Sequence, residues 1–129
     1  MLVPITPQFR RRRRGKKPQT SPALLQVVGV DGVSIFEGQL QMNVYFDTSF
    51  ENPINDPSAA DPTKWTARFG GQQYVGVLLA PIVADSIFVL FDPSGAEAGA
   101  DVLNYANAPS DISDSIGRFL AAFAGFPLS

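Results

Sequence analysis

The 129-residue sequence contains no cysteine and no histidine. Without cysteine there is no disulfide staple and no thiolate metal site. Without histidine the usual general base and the commonest metal ligand are both missing. No apolar run approaches the ~18 residues that a bilayer-spanning helix needs. No acidic residue precedes Asp31, and only three cations follow Lys17: Lys64, Arg68 and Arg118. No P-loop, nucleotide fingerprint, catalytic triad or metal-ligand cluster is legible, so the expectation is no enzyme, no cofactor, no metal and no small-molecule substrate. Loose Asp spacing at Asp56, Asp61, Asp111 and Asp114 suits turns better than a convergent calcium site.

What is present divides sharply. Seven of the ten basic residues fall between Arg10 and Lys17, and all twelve acidic ones lie at Asp31 or beyond. Residues 1–22 carry seven positive charges, and residues 23–129 carry a net −9. An asymmetry of this kind points to a negatively charged partner for one end: nucleic acid, an anionic membrane or an acidic protein surface, including that of a second copy. Pro4, Pro7, Pro18 and Pro22 disfavour helix or central strand in this stretch. The expected organisation is therefore an extended basic N-terminal arm over residues 1–22 and a folded body over residues 23–129. No apolar h-region follows the arginines, and five consecutive arginines without amphipathic period argue against an organelle transit peptide. Leu2, Val3, Ile5 and Phe9 would suit an edge strand added to a neighbour or an apolar groove.

The body reads as short apolar runs cut by turn residues. Leu24–Val30 is a strand, Asp31-Gly32 a tight turn, and Val33–Phe36 a continuation. Leu40, Met42, Val44 and Phe46 alternate with polar neighbours, the clearest period of two in the chain. Residues 47–63, with three prolines, form a long loop of the kind that often carries function. Strands follow at Trp65–Phe69 and, after a Gly70-Gly71 turn, at Gln73–Leu79, where Pro81 ends the run. Ser86–Phe91 is an apolar strand closed by an Asp92-Pro93-Ser94-Gly95 turn. Val102–Ala106 and Gly117–Ala124 complete the set; a helix beginning near Arg118 behind Ser113-Asp114-Ser115 is the weaker alternative for the last. Seven or eight strands without a convincing helix describe an all-β fold, a sandwich or small barrel.

Residues 28–128 carry motifs that sharpen this. An early strand ends Val44-Tyr45-Phe46-Asp47-Thr48-Ser49. A Leu103-Asn104-Tyr105 strand leads into Ala108-Pro109-Ser110-Asp111-Ile112-Ser113-Asp114-Ser115-Ile116-Gly117-Arg118. The segment closes with Leu120 to Leu128. In these features the chain resembles bacterial and phage immunoglobulin-like domains of the kind strung along surface-layer and adhesin proteins, with Arg118 where that family has an asparagine after the glycine. The resemblance implies an immunoglobulin-like antiparallel β-sandwich of seven to eight strands and a structural or adhesive role, and it brings no catalytic residues.

The candidate anchoring residues are Phe9, Arg10, Arg11, Arg12, Arg13, Arg14, Lys16 and Lys17, since guanidinium groups pair bidentately with phosphate or carboxylate. Phe50 and Phe126 are candidates for surface recognition. Phe46, Trp65, Phe91, Tyr105 and Phe123 are assigned to the core. Three functional expectations follow. The first is a structural virion component, a minor capsid or decoration protein of a bacterial virus. Its arm would grip neighbouring subunits, copies of itself or packaged nucleic acid. The second is a carbohydrate- or cell-surface-binding module, cytoplasmic or displayed at the cell surface. The third is a small nucleic-acid-binding protein acting through the arm. None involves a membrane.

Overall fold

The structure is a computed structural model that describes residues 24–106 and 110–128. Seven strands form the body: β1 (Val27–Phe36), β2 (Gln39–Phe46), β3 (Trp65–Phe69), β4 (Gln72–Val83), β5 (Ser86–Ala96), β6 (Val102–Tyr105) and β7 (Phe123–Pro127). A single 3-10 turn at Pro62–Lys64 precedes β3, and no α-helix occurs among the described residues. The all-β expectation holds. The strands are hydrogen-bonded as one antiparallel sheet in the order β1-β2-β5-β4-β3-β6-β7, curled into a half-barrel. Its two edges approach one another at one end, where Leu25 and Leu120 form a parallel bridge just ahead of β1 and β7. Leu25 N–H donates to the Phe119 carbonyl at 3.0 Å, and Ala121 N–H to the Leu25 carbonyl at 3.1 Å.

The alternation in β2 decides which way the sheet curls. Leu40, Met42, Val44 and Phe46 are all 2 % exposed or less, while their polar neighbours lie half-buried on the other side. Across the ladder, Leu40 faces Phe91, Met42 faces Val89 and Val44 faces Ile87, which completes the inner face of β5. Residues directly opposite in an antiparallel pair share a face. Trp65, Tyr105 and Phe123 accordingly form one rung across β3, β6 and β7, with Trp65 and Tyr105 ring centroids 4.7 Å apart. Such ring pairs contribute roughly 0.5–1.5 kcal/mol beyond the burial of their area. Leu25, Ile112 and Leu120, from the segments flanking the sheet, are fully buried in the same core.

Several boundaries differ from the sequence reading. Asp31-Gly32 is a bulge inside a continuous β1, with Gly32 at φ 63 and a register shift between Asp31 and Ser34. The reversal comes instead at Glu37-Gly38, where both residues have positive φ (53 and 81) as a two-residue hairpin of the primed type requires. Pro81 does not end β4, and Pro93 does not begin a turn; they pair with Ile87 and Tyr74 respectively. Proline is tolerated in a strand that lacks a partner on its N–H side. β3 pairs with β4 only at Gln72–Val75, and β2 pairs with β5 only at Ser86–Phe91, so each proline sits where its strand is paired on one side alone. The last strand is Phe123–Pro127 rather than Gly117–Ala124, and Gly125, at φ 80, is a bulge within it.

Gly76 shows why β4 and the 3-10 turn fit together. A Cβ at this position would stand 2.1 Å from the Pro62 carbonyl oxygen and 3.2 Å from that of Trp65. Only glycine lets the end of the 47–63 segment cross β4 this closely.

Candidate functional site

The long 47–63 segment is fastened at several points, to the 110–120 segment and to the turn between β4 and β5. Ile54 N–H reaches the Ala84 carbonyl (2.8 Å), Asn55 N–H that of Ser113 (2.9 Å), and Ser115 N–H that of Pro53 (2.9 Å). Two carboxylates organise the join. Asp111 accepts from Asp61 N–H at 2.8 Å and from the Tyr105 hydroxyl at 3.2 Å, and pairs with Lys64 at 3.3 Å. Asp111 N–H also donates to the Tyr105 oxygen at 3.4 Å, and burial raises the Tyr105 pKa above its ordinary value.

Asp114 is the second anchor, 1 % exposed. Its carboxylate accepts from Ile116 N–H (3.2 Å), Arg118 N–H (2.9 Å) and Arg118 Nε (2.7 Å). Burial opposes ionisation here, but the backbone and guanidinium donors of Arg118 outweigh it and hold the carboxyl below its ordinary value. Arg118 further donates to the Asp47 carbonyl at 2.9 Å, which joins the end of β2 to the same knot. The Ser113-Asp114-Ser115 motif therefore closes a tight loop rather than capping a helix.

The candidate residues fall as follows. Phe9, Arg10 to Arg14, Lys16 and Lys17 lie outside the described residues, as does the rest of the 1–22 segment. Phe46, Trp65, Phe91 and Tyr105 are fully buried, and Phe123 is half-buried against the core. Phe126 is half-buried too and packs edge-on against Phe123. Phe50 stands 82 % exposed in the 47–63 segment. The loop aspartates are occupied locally: Asp56 accepts from Ser58, and Asp61 from Thr63 N–H (2.9 Å) and its hydroxyl (2.6 Å); both carboxyls are lowered by these bonds. Among the described residues no three His, Cys, Asp or Glu side chains converge on a point that would hold a metal ion.

Two surface features went unread in the sequence. A cleft of about 260 Å³ opens at the seam between the sheet edges, lined by Gln26, Val27, Ala121, Ala122, Phe123 and Phe126. The outer face of β1, β2, β5 and β4 carries apolar side chains between acidic ends. Leu78 lies opposite Leu90, and Ala80 opposite Phe88, with Leu78 47 % exposed. Beside them, Asp31 accepts from Asn43 (3.1 Å) and from the Tyr45 hydroxyl (3.1 Å). Tyr45 has its pKa raised, first by that hydrogen bond, then by slight burial and the charges of Asp31 and Asp85.

The three cations of the body are all engaged: Lys64 with Asp111, Arg68 with Glu97 at 2.7 Å, and Arg118 with Asp114 and Asp47. Those ion pairs involve four of the twelve carboxylates and leave eight outside them.

No protein-family model, curated protein or solved structure matches this chain.

Proposed function

We propose that the protein is a structural component of a larger assembly, of the minor capsid or decoration type found in virions, and that its basic N-terminal segment is the grip. The observation that supports this most is the distribution of charge along the chain. Every body cation has an internal carboxylate partner, and the rest of the chain's positive charge is gathered in the cluster from Arg10 to Lys17. The body contributes a sheet whose loops are tied down by Asp111 and Asp114. Such a body supplies bulk and a fixed outline, and the arm supplies attachment to neighbouring subunits, to copies of itself or to packaged nucleic acid.

The immunoglobulin-like likeness belongs to the same proposal and rests on the Val44–Ser49 and Leu103–Arg118 motifs. The continuous seven-stranded sheet is not divided into two by its hydrogen bonding, so the rigid body and charge split support the assembly role independently of that likeness. A second reading draws on Phe50: an aromatic 82 % exposed on a braced loop suits stacking against a sugar ring or another protein.

The test is incorporation. Particles isolated from cells producing the protein are probed by mass spectrometry and sedimentation, with the natural chain and with Arg10–Arg14 replaced by glutamine. The proposal expects the natural chain to co-sediment with particle proteins and the variant to be lost from them. Equal recovery of both would refute it. Retention by a glycan column that disappears with Phe50→Ala would favour the second reading.

A further inference from the structure

We propose that the shallow cleft beside Phe50 binds the terminal ring of a neutral carbohydrate. The proposal rests on the exposed-aromatic reading above, to which it adds a ligand class and polar partners, and it is independent of the assembly role. Asp47, Thr48, Ser49, Asn52, Ile116 and Arg118 line the cleft, whose volume is about 480 Å³. That lies within the roughly 300–1,000 Å³ usual for small-molecule sites. Its wall is ordered before any ligand arrives. Asn52 N–H donates to the Ser49 carbonyl at 3.1 Å and closes a turn with Phe50 and Glu51 at its apex. The Thr48 hydroxyl donates to the Asn52 carbonyl across the base of that turn. Asp47 is fixed by exchange with Gln26: its N–H donates to the Gln26 carbonyl and its Oδ1 accepts from Gln26 N–H, both at 3.0 Å. A wall held in this way has little further entropy to lose on binding.

The groups left over by this bracing define the ligand. The Ser49 hydroxyl and the Asn52 side-chain amide line the cleft and make no hydrogen bond among the described residues. Asp47 Oδ2 meets Arg118 Nη1 only at 3.8 Å, too far for a hydrogen bond. A hydroxyl, an amide and a carboxylate oxygen together offer both donors and acceptors. Neighbouring hydroxyls of a sugar ring present the same mixture, since each can donate and accept. A pyranose also has an apolar face of C–H bonds, whose slight positive charge suits the negative face of an aromatic ring. Phe50, at the apex of the turn that walls the cleft, supplies that face, and the exposed Ile116 adds apolar surface to the lining. Charge narrows the class further. Arg118 is already engaged, through Nε with Asp114 (2.7 Å) and through Nη2 with the Asp47 carbonyl (2.9 Å). Asp47 in the cleft and Glu51 beside Phe50 are carboxylates, so a uronate or sialic acid would be repelled while a neutral ring would not.

Full-length protein is offered an array of immobilised oligosaccharides ending in neutral hexoses, N-acetylhexosamines, uronates or sialic acids; dense display compensates for a weak single site. Binding is expected at neutral termini alone. Titration calorimetry with the best-bound neutral oligosaccharide then compares the natural chain with Phe50→Ala, Asn52→Ala and Phe36→Ala. The first two are expected to raise Kd roughly tenfold, the loss of one anchoring contact. Phe36 is exposed at the opposite end of β2 from Asp47, and its replacement should leave Kd unchanged. Circular dichroism should be the same for all four chains. Binding at no terminus, a preference for acidic termini, or natural affinity in Asn52→Ala overturns the proposal. If Phe50→Ala abolishes binding while Asn52→Ala keeps it, the cleft is refuted and the stacking reading of Phe50 survives alone. If no sugar binds but Phe50→Ala lowers recovery with particle proteins, Phe50 is a protein contact and the carbohydrate site is refuted.

Discussion

Replacing Asp114 by asparagine tests whether the 110–120 segment is pinned by charge. The natural carboxylate takes three hydrogen bonds, two of them from Arg118, while the Arg118 side chain is only 15 % exposed. The amide would fill the same space but offer Arg118 no charge. Removing one partner of a buried pair costs about 3–5 kcal/mol because the other charge is left uncompensated. Arg118 keeps the Asp47 carbonyl at 2.9 Å and its carboxylate at 3.8 Å, so the lower end of that range, about 3 kcal/mol, applies. For a body of this size that is a fall in Tm of roughly 12 °C. The pH dependence gives an independent check. The folded-state pKa of Asp114 lies below its ordinary value, so the native state binds fewer protons than the unfolded chain in the interval between the two. The stabilisation is therefore complete above the unfolded pKa and is lost as pH falls through the folded one. Urea unfolding from pH 7 down to pH 2 should show the natural protein and Asp114→Asn far apart at neutral pH and converging in acid. A difference below about 0.5 kcal/mol at pH 7, the size of an ordinary surface change, would refute the reasoning. So would a gap that stays constant with pH.

Substitutions at three further positions probe the fold. Gly76→Ala should cost about 3 kcal/mol or abolish folding, because its Cβ would meet the Pro62 carbonyl at 2.1 Å and neither backbone can yield cheaply; thermal denaturation reads it. Glu37→Asn should raise stability by about 0.5–1 kcal/mol in urea, since Glu37 is held at φ 53, a conformation asparagine adopts more readily. Trp65→Phe should cost less than about 2 kcal/mol against about 3–5 kcal/mol for Trp65→Ala, because the buried Trp65 Nε1 has no hydrogen-bond partner among the described residues and phenylalanine removes that orphan donor while keeping an aromatic ring.

The parts of the fold legible in the sequence are those in which one local signal has one structural outcome. The Leu40–Phe46 alternation gives β2 its buried face directly, and Gly70-Gly71 supplies the two positive φ values its hairpin needs. The boundaries misplaced at Asp31-Gly32, Pro81 and Pro93 share one cause. A proline or an Asp-Gly pair restricts backbone, but whether it ends a strand depends on how many neighbours the strand has at that point. At Pro81 and Pro93 the neighbouring strand has already stopped, and that is a property of the assembled sheet. At Asp31-Gly32 the extra residue is absorbed as a bulge because β2 continues past it. The hairpin at Glu37-Gly38 was hidden because glutamate gives no hint of a positive φ.

The same logic separates what could be read of function from what could not. The charge split is a sum over sequence and needs no fold. The outer patch needs one, since Leu78 and Leu90 are twelve residues apart and become neighbours only through the β4–β5 ladder, after the bulge at Val77 has turned Leu78 outward. Asp111 and Asp114 look in sequence like ordinary turn residues, yet they fasten the 47–63 segment to the body. Their pairing with Lys64 and Arg118, together with that of Glu97 and Arg68, neutralises every cation the body owns. The outer face keeps Asp31, Asp85 and Asp92 outside those pairs. A fold that used its own cations elsewhere has left an acidic-rimmed apolar surface and a basic, apolar-headed segment in the same chain.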